Sequence, residues 1–195
     1  MIEVEKKFSL SQEQLERIEK TAEFVKEVEN TDVYYDTSDY KLTSQDIWLR
    51  IRNGKPEVKI PPKNKPGLVN VYDEVDNPDE IIKKLNLKHL SDGFIENLEK
   101  NGFKILLNIK THRRKFKLRD FTVDIDEVDY GYKLCEIEKL VENESEVEKA
   151  IQEILDFARS LGLEIKYVRG KGMEYFYRFN KDAYEIASGL NGRIE

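Results

Sequence analysis

The chain has 195 residues, with 39% apolar residues and a formal net charge of −6 from 39 acidic and 33 basic side chains. The apolar share is too high for a disordered chain, and ten glycines and five prolines are too few for a fibrous one. The length therefore predicts one domain over residues 1–195, and the acidic balance argues against a general nucleic-acid-binding protein.

Membrane and secretory features are not expected in this sequence. No apolar run approaches the ~20 residues that a membrane span needs, and residues 1–5 lack the basic and apolar regions of a secretory signal. Cys135 is the single cysteine, which excludes a disulfide within the chain and a cysteine-based zinc site. We expect a cytoplasmic protein without membrane association.

The first elements are a strand and a helix. Residues 2–8 alternate between apolar and charged side chains, which predicts a strand. Ser11 is a candidate N-cap, and Gln14 three residues later completes a capping box at the start of a helix. The apolar stripe of this helix comprises Leu15, Ile18, Ala22 and Val25.

Short strands follow, separated by turns. They are predicted at residues 31–36, 47–53, 57–60 and 69–75. Asn53-Gly54 is typical of a two-residue hairpin turn. Pro61-Pro62 and Lys65-Pro66-Gly67 predict an exposed loop.

The second half of the chain combines strands with amphipathic helices. Helical patterns are predicted around residues 80–87, 93–100 and 144–161, with Gly162 as a stop signal, and a final helix over residues 173–177 and 182–188 closes the chain. Strands are predicted at residues 103–111, 115–119, 122–126 and 133–140. The pattern indicates an α+β domain with a mainly antiparallel sheet.

Charged residues share one face of several predicted strands, opposite an apolar face. Side chains two residues apart in a strand point to the same side, so Glu3, Glu5 and Lys7 lie together. The same alternation groups Trp48, Arg50 and Arg52; Glu57 and Lys59; Tyr72 and Glu74; Asp124 and Asp126; and Glu136 and Glu138.

Two interpretations of these charged faces compete. They could face solvent, with cross-strand ion pairs worth ~0.2–1 kcal/mol each, and periodicity alone favours this. Alternatively, they could line a closed barrel whose apolar outside is covered by the helices. An eight-stranded barrel has room for side chains and one small ligand, and the five predicted helices favour this arrangement.

The residue types indicate what such a barrel would hold. Arg50 and Arg52 suit bidentate binding of phosphate oxygens, and lysines add point charges. Carboxylates two residues apart suit Mg²⁺ or Mn²⁺, which prefer oxygen ligands. Clustered charges of both signs are costly in an empty interior, so a polyanion with metal ions and water would fill it.

Motifs along the chain resemble those of one family. Glu3-Val4-Glu5-Lys6-Lys7 has the E-x-E-x-K spacing, and further motifs follow in order. They are Val33-Tyr34-Tyr35-Asp36-Thr37, Trp48-Leu49-Arg50-Ile51-Arg52, Glu57-Val58-Lys59, Thr111-His112-Arg113, Val123-Asp124-Ile125-Asp126, Tyr130-Gly131-Tyr132 and Cys135-Glu136-Ile137-Glu138. The chain resembles the CYTH family, the triphosphate tunnel metalloenzymes, and is most similar to its thiamine-triphosphatase branch.

The resemblance implies an eight-stranded antiparallel tunnel with helices packed outside. It also implies roles for individual residues of this sequence. The catalytic set would be Glu3, Glu5, Lys7, Asp124, Glu136 and Glu138, of which all but Lys7 would bind metal. The substrate would be bound by Lys7, Trp48, Arg50, Arg52, Lys59, Arg113 and Lys171.

Some assignments have rivals nearby in the chain. Arg169 competes with Lys171 as the late base that reaches the tunnel, and Arg114 competes with Arg113, although only Arg113 keeps the T-x-R spacing. Asp126 and Glu74 are further candidate residues of the tunnel site, of lower rank than those above.

The activity implied by the resemblance is metal-assisted hydrolysis of thiamine triphosphate to thiamine diphosphate and phosphate. We expect Mg²⁺, with Mn²⁺ as the alternative. One ion would orient the triphosphate, and a second near Asp124, Glu136 and Glu138 would position the attacking water. Trp48 could hold the thiazolium cation on its indole face, or could simply be a core or rim aromatic.

Other functions stay open at the level of sequence. They are an inorganic triphosphatase, a class IV-type adenylyl cyclase, and a non-catalytic module that binds polyphosphate or nucleotide. In each case the expected partner is a small-molecule triphosphate, without nucleic acid, and the protein would be a monomer or a small homo-oligomer.

Overall fold

A computed structural model describes residues 1–63, 67–88 and 93–189. The predicted loop at Lys65-Pro66-Gly67 therefore lies largely outside the described residues. Within the described part, no helix combines the length and apolar character that crossing a bilayer requires.

Eight antiparallel strands close into a barrel, which confirms the predicted fold class. The strands are β1 (Ile2–Phe8), β2 (Glu23–Thr37), β3 (Trp48–Arg52), β4 (Lys55–Ile60), β5 (Asn70–Val75), β6 (Phe103–Leu118), β7 (Phe121–Val128) and β8 (Tyr132–Val141). Around the barrel the order is β1-β5-β4-β3-β2-β6-β7-β8. β1 pairs with both β5 and β8, so the sheet has no free edge.

Six α-helices surround the barrel within the described residues. They are α1 (Gln12–Thr21), α2 (Pro78–Lys84), α3 (Phe94–Lys100), α4 (Val147–Ser160), α5 (Lys171–Phe179) and α6 (Lys181–Gly189). Short 3₁₀ turns lie at Thr43–Gln45 and Glu144–Glu146. The capping box of α1 is confirmed: the Gln14 backbone N–H donates to Ser11 Oγ at 3.2 Å, and the Ser11 backbone N–H donates to Gln14 Oε1 at 2.9 Å.

Two turn predictions are confirmed by positive φ angles. Asn53 (φ 49°) and Gly54 (φ 83°) join β3 to β4, as a type I′ turn requires. Gly162 (φ 72°) follows the end of α4. Val25 was predicted on the stripe of the first helix, and this is wrong. The chain leaves the helix at Ala22, which is extended, so Val25 lies in β2 and is exposed.

The prediction of separate strands at 103–111 and 115–119 is also wrong. β6 is a single strand of 16 residues that runs through His112 and Arg113. It pairs with β2 along one side and with β7 along the other; His112, for example, lies opposite Glu29 and Glu127. The two ladders carry the strand through a polar stretch that lacks apolar alternation.

The apolar strand faces point outward and are covered by helices. One cluster joins the outer residues of β1, β7 and β8 to α4, where Phe157 stacks on Phe121 at 4.4 Å between ring centroids. Cys135 lies in this cluster with no exposed surface, and burial raises the pKa of its thiol well above the usual value. A second cluster lies between α2, α3 and the outer faces of β3, β4 and β5.

A third cluster lies where α5 packs against one end of the barrel interior. Met173 and Phe176 of α5 cluster with Tyr34, Ile109 and Leu134. Ile109 and Leu134 continue the inward rows of Arg113 on β6 and Glu136 on β8. The helix therefore covers one end of the bore with apolar side chains.

We expect Ile154→Ala to destabilise the protein by about 2–5 kcal/mol, because Ile154 of α4 is fully buried against the barrel and its loss leaves a cavity. The free energy of unfolding is measured by denaturant titration. Ile95→Ala is the matched control, since Ile95 of α3 is 46% exposed and its replacement is expected to change stability by less than about 0.5 kcal/mol. Equal losses in the two variants would contradict this account of the core.

Candidate active site

The inward faces of the barrel strands line a cavity of about 250 Å³. Eleven of the predicted site residues lie on its wall: Glu3, Glu5, Lys7, Trp48, Arg50, Arg52, Lys59, Arg113, Glu136, Glu138 and Lys171. Asp124 does not line the cavity. It lies fully buried behind Arg113 and pairs with it.

Bases and acids face each other directly across neighbouring strands. Six such pairs are set by the strand register: Lys7 with Glu136, Arg50 with Glu57, Arg52 with Asp32, Lys59 with Glu74, Arg113 with Asp126, and Lys115 with Asp124. Opposite charges in register stabilise a sheet, and burial makes this compensation necessary.

Like charges also face each other, on β1, β8 and β7. Glu5 lies opposite Glu138, and Glu136 lies opposite Asp124. Carboxylates directly opposite one another destabilise a sheet unless a cation lies between them. These three neighbouring strands therefore form an acidic wall, in which Glu3, Glu5, Glu136 and Glu138 line the cavity and the buried Asp124 lies behind them.

Arg113 is the centre of the ion pairs on the acidic side. Its Nε and Nη2 donate to the two carboxylate oxygens of Asp126, both at 2.6 Å, and Nη2 also donates to Glu136 Oε2 at 2.6 Å. Its Nη1 donates to Asp124 Oδ2. The neighbouring Arg114 points outward and pairs with Glu19 of α1. Of the two rivals, Arg113 is thus the one inside the barrel.

Lys171 enters the cavity from the first turn of α5. Its Nζ donates to Asp126 Oδ2 and lies 3.5 Å from Glu136 Oε2. Arg169 instead places its guanidinium 3.9 Å from the centre of the Tyr177 ring, on the C-terminal helices. The structure therefore brings Lys171, and not Arg169, to the acidic wall.

Lysines on β1 and β4 pair with the first two glutamates. Lys7 donates to Glu5 Oε1, and Lys59 donates to Glu3 Oε2 while lying 3.5 Å from Glu5 Oε2. Burial alone would raise the pKa of Glu5, but Lys59 and Lys7 outweigh it and lower that pKa. For Glu3, burial dominates and raises the pKa to about 7, although Lys59 opposes the shift.

The remaining acids of the wall also differ in their protonation. Burial raises the pKa of Asp124, and of Glu138, whose pKa the neighbouring Asp124 raises further. Glu136 behaves in the opposite way: burial raises its pKa, but Lys171, Arg113 and Lys7 together hold it well below the usual range. The wall thus combines a firmly ionised carboxylate with others that take up a proton more readily.

The carboxylate oxygens fit a hard divalent cation by their chemistry. Asp124 Oδ1 is buried without a hydrogen-bond partner in the described structure, while Asp124 Oδ2 lies 3.1 Å from Lys115 Nζ. An unpaired buried oxygen next to facing carboxylates is a ligand that a cation or a bound water would satisfy. Across the described residues, however, no three acidic, histidine or cysteine side chains already form a preassembled metal-binding group, and the bases hold the acids instead.

Several residues that shape the site were missed from the sequence. Lys115 pairs with Asp124 and Glu138, and Asp32 accepts both Nε and Nη2 of Arg52, at 2.6 and 2.9 Å. Strict alternation would have found both, because Lys115 follows Arg113 by two residues and Asp32 lies opposite the apolar Val33 in the predicted strand 31–36. Lys115 was not predicted because the strand was wrongly divided at residues 112–114.

Asp46 was missed because it lies in a turn, where alternation gives no signal. Its Oδ1 accepts Trp48 Nε1 at 2.9 Å and the Tyr72 hydroxyl at 3.2 Å. Asp36 holds this turn, since its carboxylate accepts the backbone N–H groups of Leu42 at 2.9 Å and Thr43 at 2.8 Å. The turn orients the Trp48 ring in the cavity wall.

Trp48 is half-buried between the cavity and α5. Its ring is stacked on Phe176 at 6.1 Å and meets the Tyr34 ring edge-on at 5.9 Å. A Cβ atom on Gly172 would lie 2.6 Å from the indole, so the helix approaches the ring too closely for any side chain there.

Comparisons with known proteins agree with this geometry. The sequence profile of the CYTH domain matches residues 1–168. The chain is similar to the thiamine-triphosphatase of Homo sapiens, with 29% identity over 215 aligned positions that cover 100% of this chain and 93% of that protein. It is also 29% identical to the thiamine-triphosphatase of Macaca fascicularis, over 98% of this chain and 91% of that protein. The solved structure of the PH1819 protein from Pyrococcus horikoshii OT3 matches with a TM-score of 0.66 and 29% identity, over 90% of this chain and 98% of that one.

The stability of the protein is expected to depend on pH through Glu74. Burial raises the pKa of Glu74 to about 7, although the positive charge of Lys59 opposes this shift. The ordinary pKa of a glutamate side chain is 4.5, so above that pH the unfolded chain loses a proton that the folded protein retains. Ionisation of Glu74 therefore lowers stability as pH rises, and the full cost is present above pH 7. We expect Glu74→Gln to raise the melting temperature relative to the parent by several degrees more at pH 8 than at pH 5.

The measurement is thermal unfolding of metal-free protein in the presence of a chelator. Glu148→Gln is the control, because this exposed acid on α4 reports the general effect of removing one negative charge. A stabilisation by Glu74→Gln that is the same at both pH values would contradict the assignment.

Proposed function

The chain belongs to the CYTH domain family, and from this premise we propose that it is an enzyme that hydrolyses a triphosphate, with thiamine triphosphate as the substrate and thiamine diphosphate and phosphate as the products. The observation that carries the proposal is the division of one cavity into a row of bases and a wall of facing carboxylates. This division suits a polyanion bound together with divalent cations.

The phosphate chain would bind to the basic side chains. Arg50, Arg52 and Lys59 come from the adjacent strands β3 and β4, and their present partners are carboxylates that phosphate oxygens can replace. Lys7, Arg113 and Lys171 would contact the phosphate from the acidic side. We propose that these six bases share the negative charge of the triphosphate.

The acidic wall would hold the metal, which we propose to be Mg²⁺, with Mn²⁺ as the alternative. The residues proposed as ligands are Glu3, Glu5, Asp124, Glu136 and Glu138. When bound, such an ion offsets phosphate charge and makes water a better nucleophile. As the bases turn toward phosphate, they would release the carboxylates with which they form ion pairs.

The hydrolytic step uses this chain's residues for orientation and charge. Once Arg113 turns toward the phosphate and uncovers Asp124, Asp124 Oδ1 would accept a hydrogen bond from the attacking water and orient it in line with the bridging oxygen that leaves. The water oxygen bonds to the terminal phosphorus, the bridging P–O bond breaks, and the raised pKa of Asp124 lets it take the water proton. Arg113 and Lys171 would stabilise the charge on the transferring phosphoryl group.

Lys59→Met is expected to lower kcat/KM for the triphosphate by about 10²–10³-fold, because one preorganised donor to the phosphate is lost. The measurement is phosphate release from thiamine triphosphate, inorganic triphosphate and ATP with Mg²⁺ or Mn²⁺, with cyclic AMP assayed in parallel. Lys133→Met is the matched control, since Lys133 is exposed on the outside of β8.

Each outcome of this assay identifies one function. Preferred release from thiamine triphosphate supports the proposal, and preferred release from inorganic triphosphate supports the simpler activity that needs no organic group. Cyclic AMP would identify a cyclase. Tight binding of triphosphate with no product would identify a binding module and overturn the enzymatic proposal.

Trp48 is the proposed contact for the thiazolium cation. Its indole lines the cavity on the same face as Arg50 and Arg52, so a cation held beside the phosphate chain can lie over the ring. We expect Trp48→Ala to reduce kcat/KM for thiamine triphosphate at least tenfold more than for inorganic triphosphate. Equal losses for both substrates would show that the ring serves packing with Phe176 and Tyr34.

A further inference from the structure

The connection between α4 and α5 decides where Lys171 lies, yet it has no regular secondary structure. Residues 164–170 form neither helix nor strand. They nevertheless end beside the site: a Cβ atom on Gly170 would lie 3.1 Å from Lys7 Cε. Because a lysine side chain is flexible, the position of the Lys171 side chain in the cavity depends on how firmly its own backbone is held in place.

Lys6 holds the first half of this connection. It lies on the outward face of β1, between the inward-facing Glu5 and Lys7, and it is only 1% exposed. Its Nζ donates to the carbonyl of Lys166 at 2.7 Å and to the carbonyl of Lys7 at 2.8 Å. These two bonds join the connection to the strand that carries the first acids of the cavity.

Two tyrosines hold the second half. Tyr130 lies in the turn between β7 and β8, Tyr132 is the first residue of β8, and Gly131 (φ 79°) lies between them. The Tyr132 hydroxyl donates to the carbonyl of Arg169 at 2.7 Å, and the Tyr130 hydroxyl donates to the carbonyl of Lys171 at 2.6 Å. The two tyrosine rings are nearly parallel, with 6.3 Å between their centroids and an angle of 6° between their planes. Their hydroxyls can therefore reach the carbonyls of Arg169 and Lys171, which are also two residues apart.

We propose that Lys6, Tyr130 and Tyr132 form a clamp that positions Lys171 in the cavity. Each of the three donates to a backbone carbonyl of the segment from Lys166 to Lys171, and none of the three lines the cavity. They are positioning residues, because they act through Lys171, whose Nζ they place against Asp126 and Glu136. The kinetic consequence rests on the proposed triphosphatase function, whereas the position of Lys171 does not.

The charge arrangement explains why such a clamp is needed. Lys171 is 5% exposed and shares Asp126 and Glu136 with Arg113. A buried base must be kept close to its acids, since an unpaired charge in the interior is costly. The clamp restrains the backbone from outside the cavity, which leaves the Lys171 side chain free to exchange carboxylate for phosphate.

The direct test is lysine acetylation with a water-soluble reagent, followed by mass spectrometry, on the full chain without substrate. Tyr130→Phe, Tyr132→Phe and their double variant remove only hydroxyls, and Lys6→Met removes the donor but keeps the stem. We expect Lys171 to react roughly two- to tenfold faster in each single variant, the change expected for one lost hydrogen bond to the connection, and faster still in the double variant, which loses two. Lys59, on β4, serves as the internal reference and is expected to react at an unchanged rate.

Unchanged labelling of Lys171 in the Tyr130→Phe/Tyr132→Phe variant would overturn the clamp. Equal acceleration at Lys171 and Lys59 would do the same, because it would indicate general loosening of the barrel. Should Lys6→Met fail to fold, the tyrosine variants decide the matter. Tyr35→Phe is the matched control, since it removes the hydroxyl of a buried tyrosine from the cluster at α2 and α3.

The kinetic test asks whether the tyrosines act through Lys171. We expect the double tyrosine variant to lower kcat/KM about two- to tenfold in the parent protein but to cause no further loss when Lys171 is already replaced by Met. The same loss in both backgrounds would show a merely structural role and overturn the positioning proposal. If no substrate is hydrolysed by the parent, the proposed function fails, and the labelling result alone judges the clamp.

Discussion

Charge compensation between neighbouring strands is the constraint on which this structure depends. A closed barrel with an apolar outside turns its polar side chains inward, where water is scarce and an unpaired ion is costly. Each base therefore faces an acid in the register, as Arg52 faces Asp32 and Lys7 faces Glu136. The interior is thus self-neutralised without ligand, and ligand binding is an exchange of partners.

The exchange has a preferred direction because the acids do not match the bases everywhere. Where carboxylates face carboxylates, as at Glu5 and Glu138, lysine side chains offset the repulsion, and a metal ion would take over that role when the lysines turn to phosphate. A polyanion that draws the bases away and cations that take their place relieve both problems together. In the proposed function, the same residues that stabilise the barrel by pairing with one another would bind the metal–phosphate complex.

Much of the fold could be predicted from alternation, and the failures have physical reasons. Ile2–Phe8 alternates except at Lys6, and its bounds were predicted to the residue. β6 was divided because His112, Arg113 and Arg114 carry no apolar face, although pairing on both sides extends the strand. The alternation of side chains along each strand identified most of the residues that face the cavity. It could not identify Asp46, which lies in a turn, or decide between Lys171 and Arg169, because both depend on tertiary contacts that no local pattern encodes.

The buried thiol of Cys135 has a practical consequence. It lies in the interface between α4 and the barrel and has no exposed surface, and burial raises its pKa. Thiol reagents therefore reach it only when this interface opens. Since the sequence contains a single cysteine, any thiol modification has one source. The rate of this modification therefore measures how often α4 separates from the sheet in the native protein.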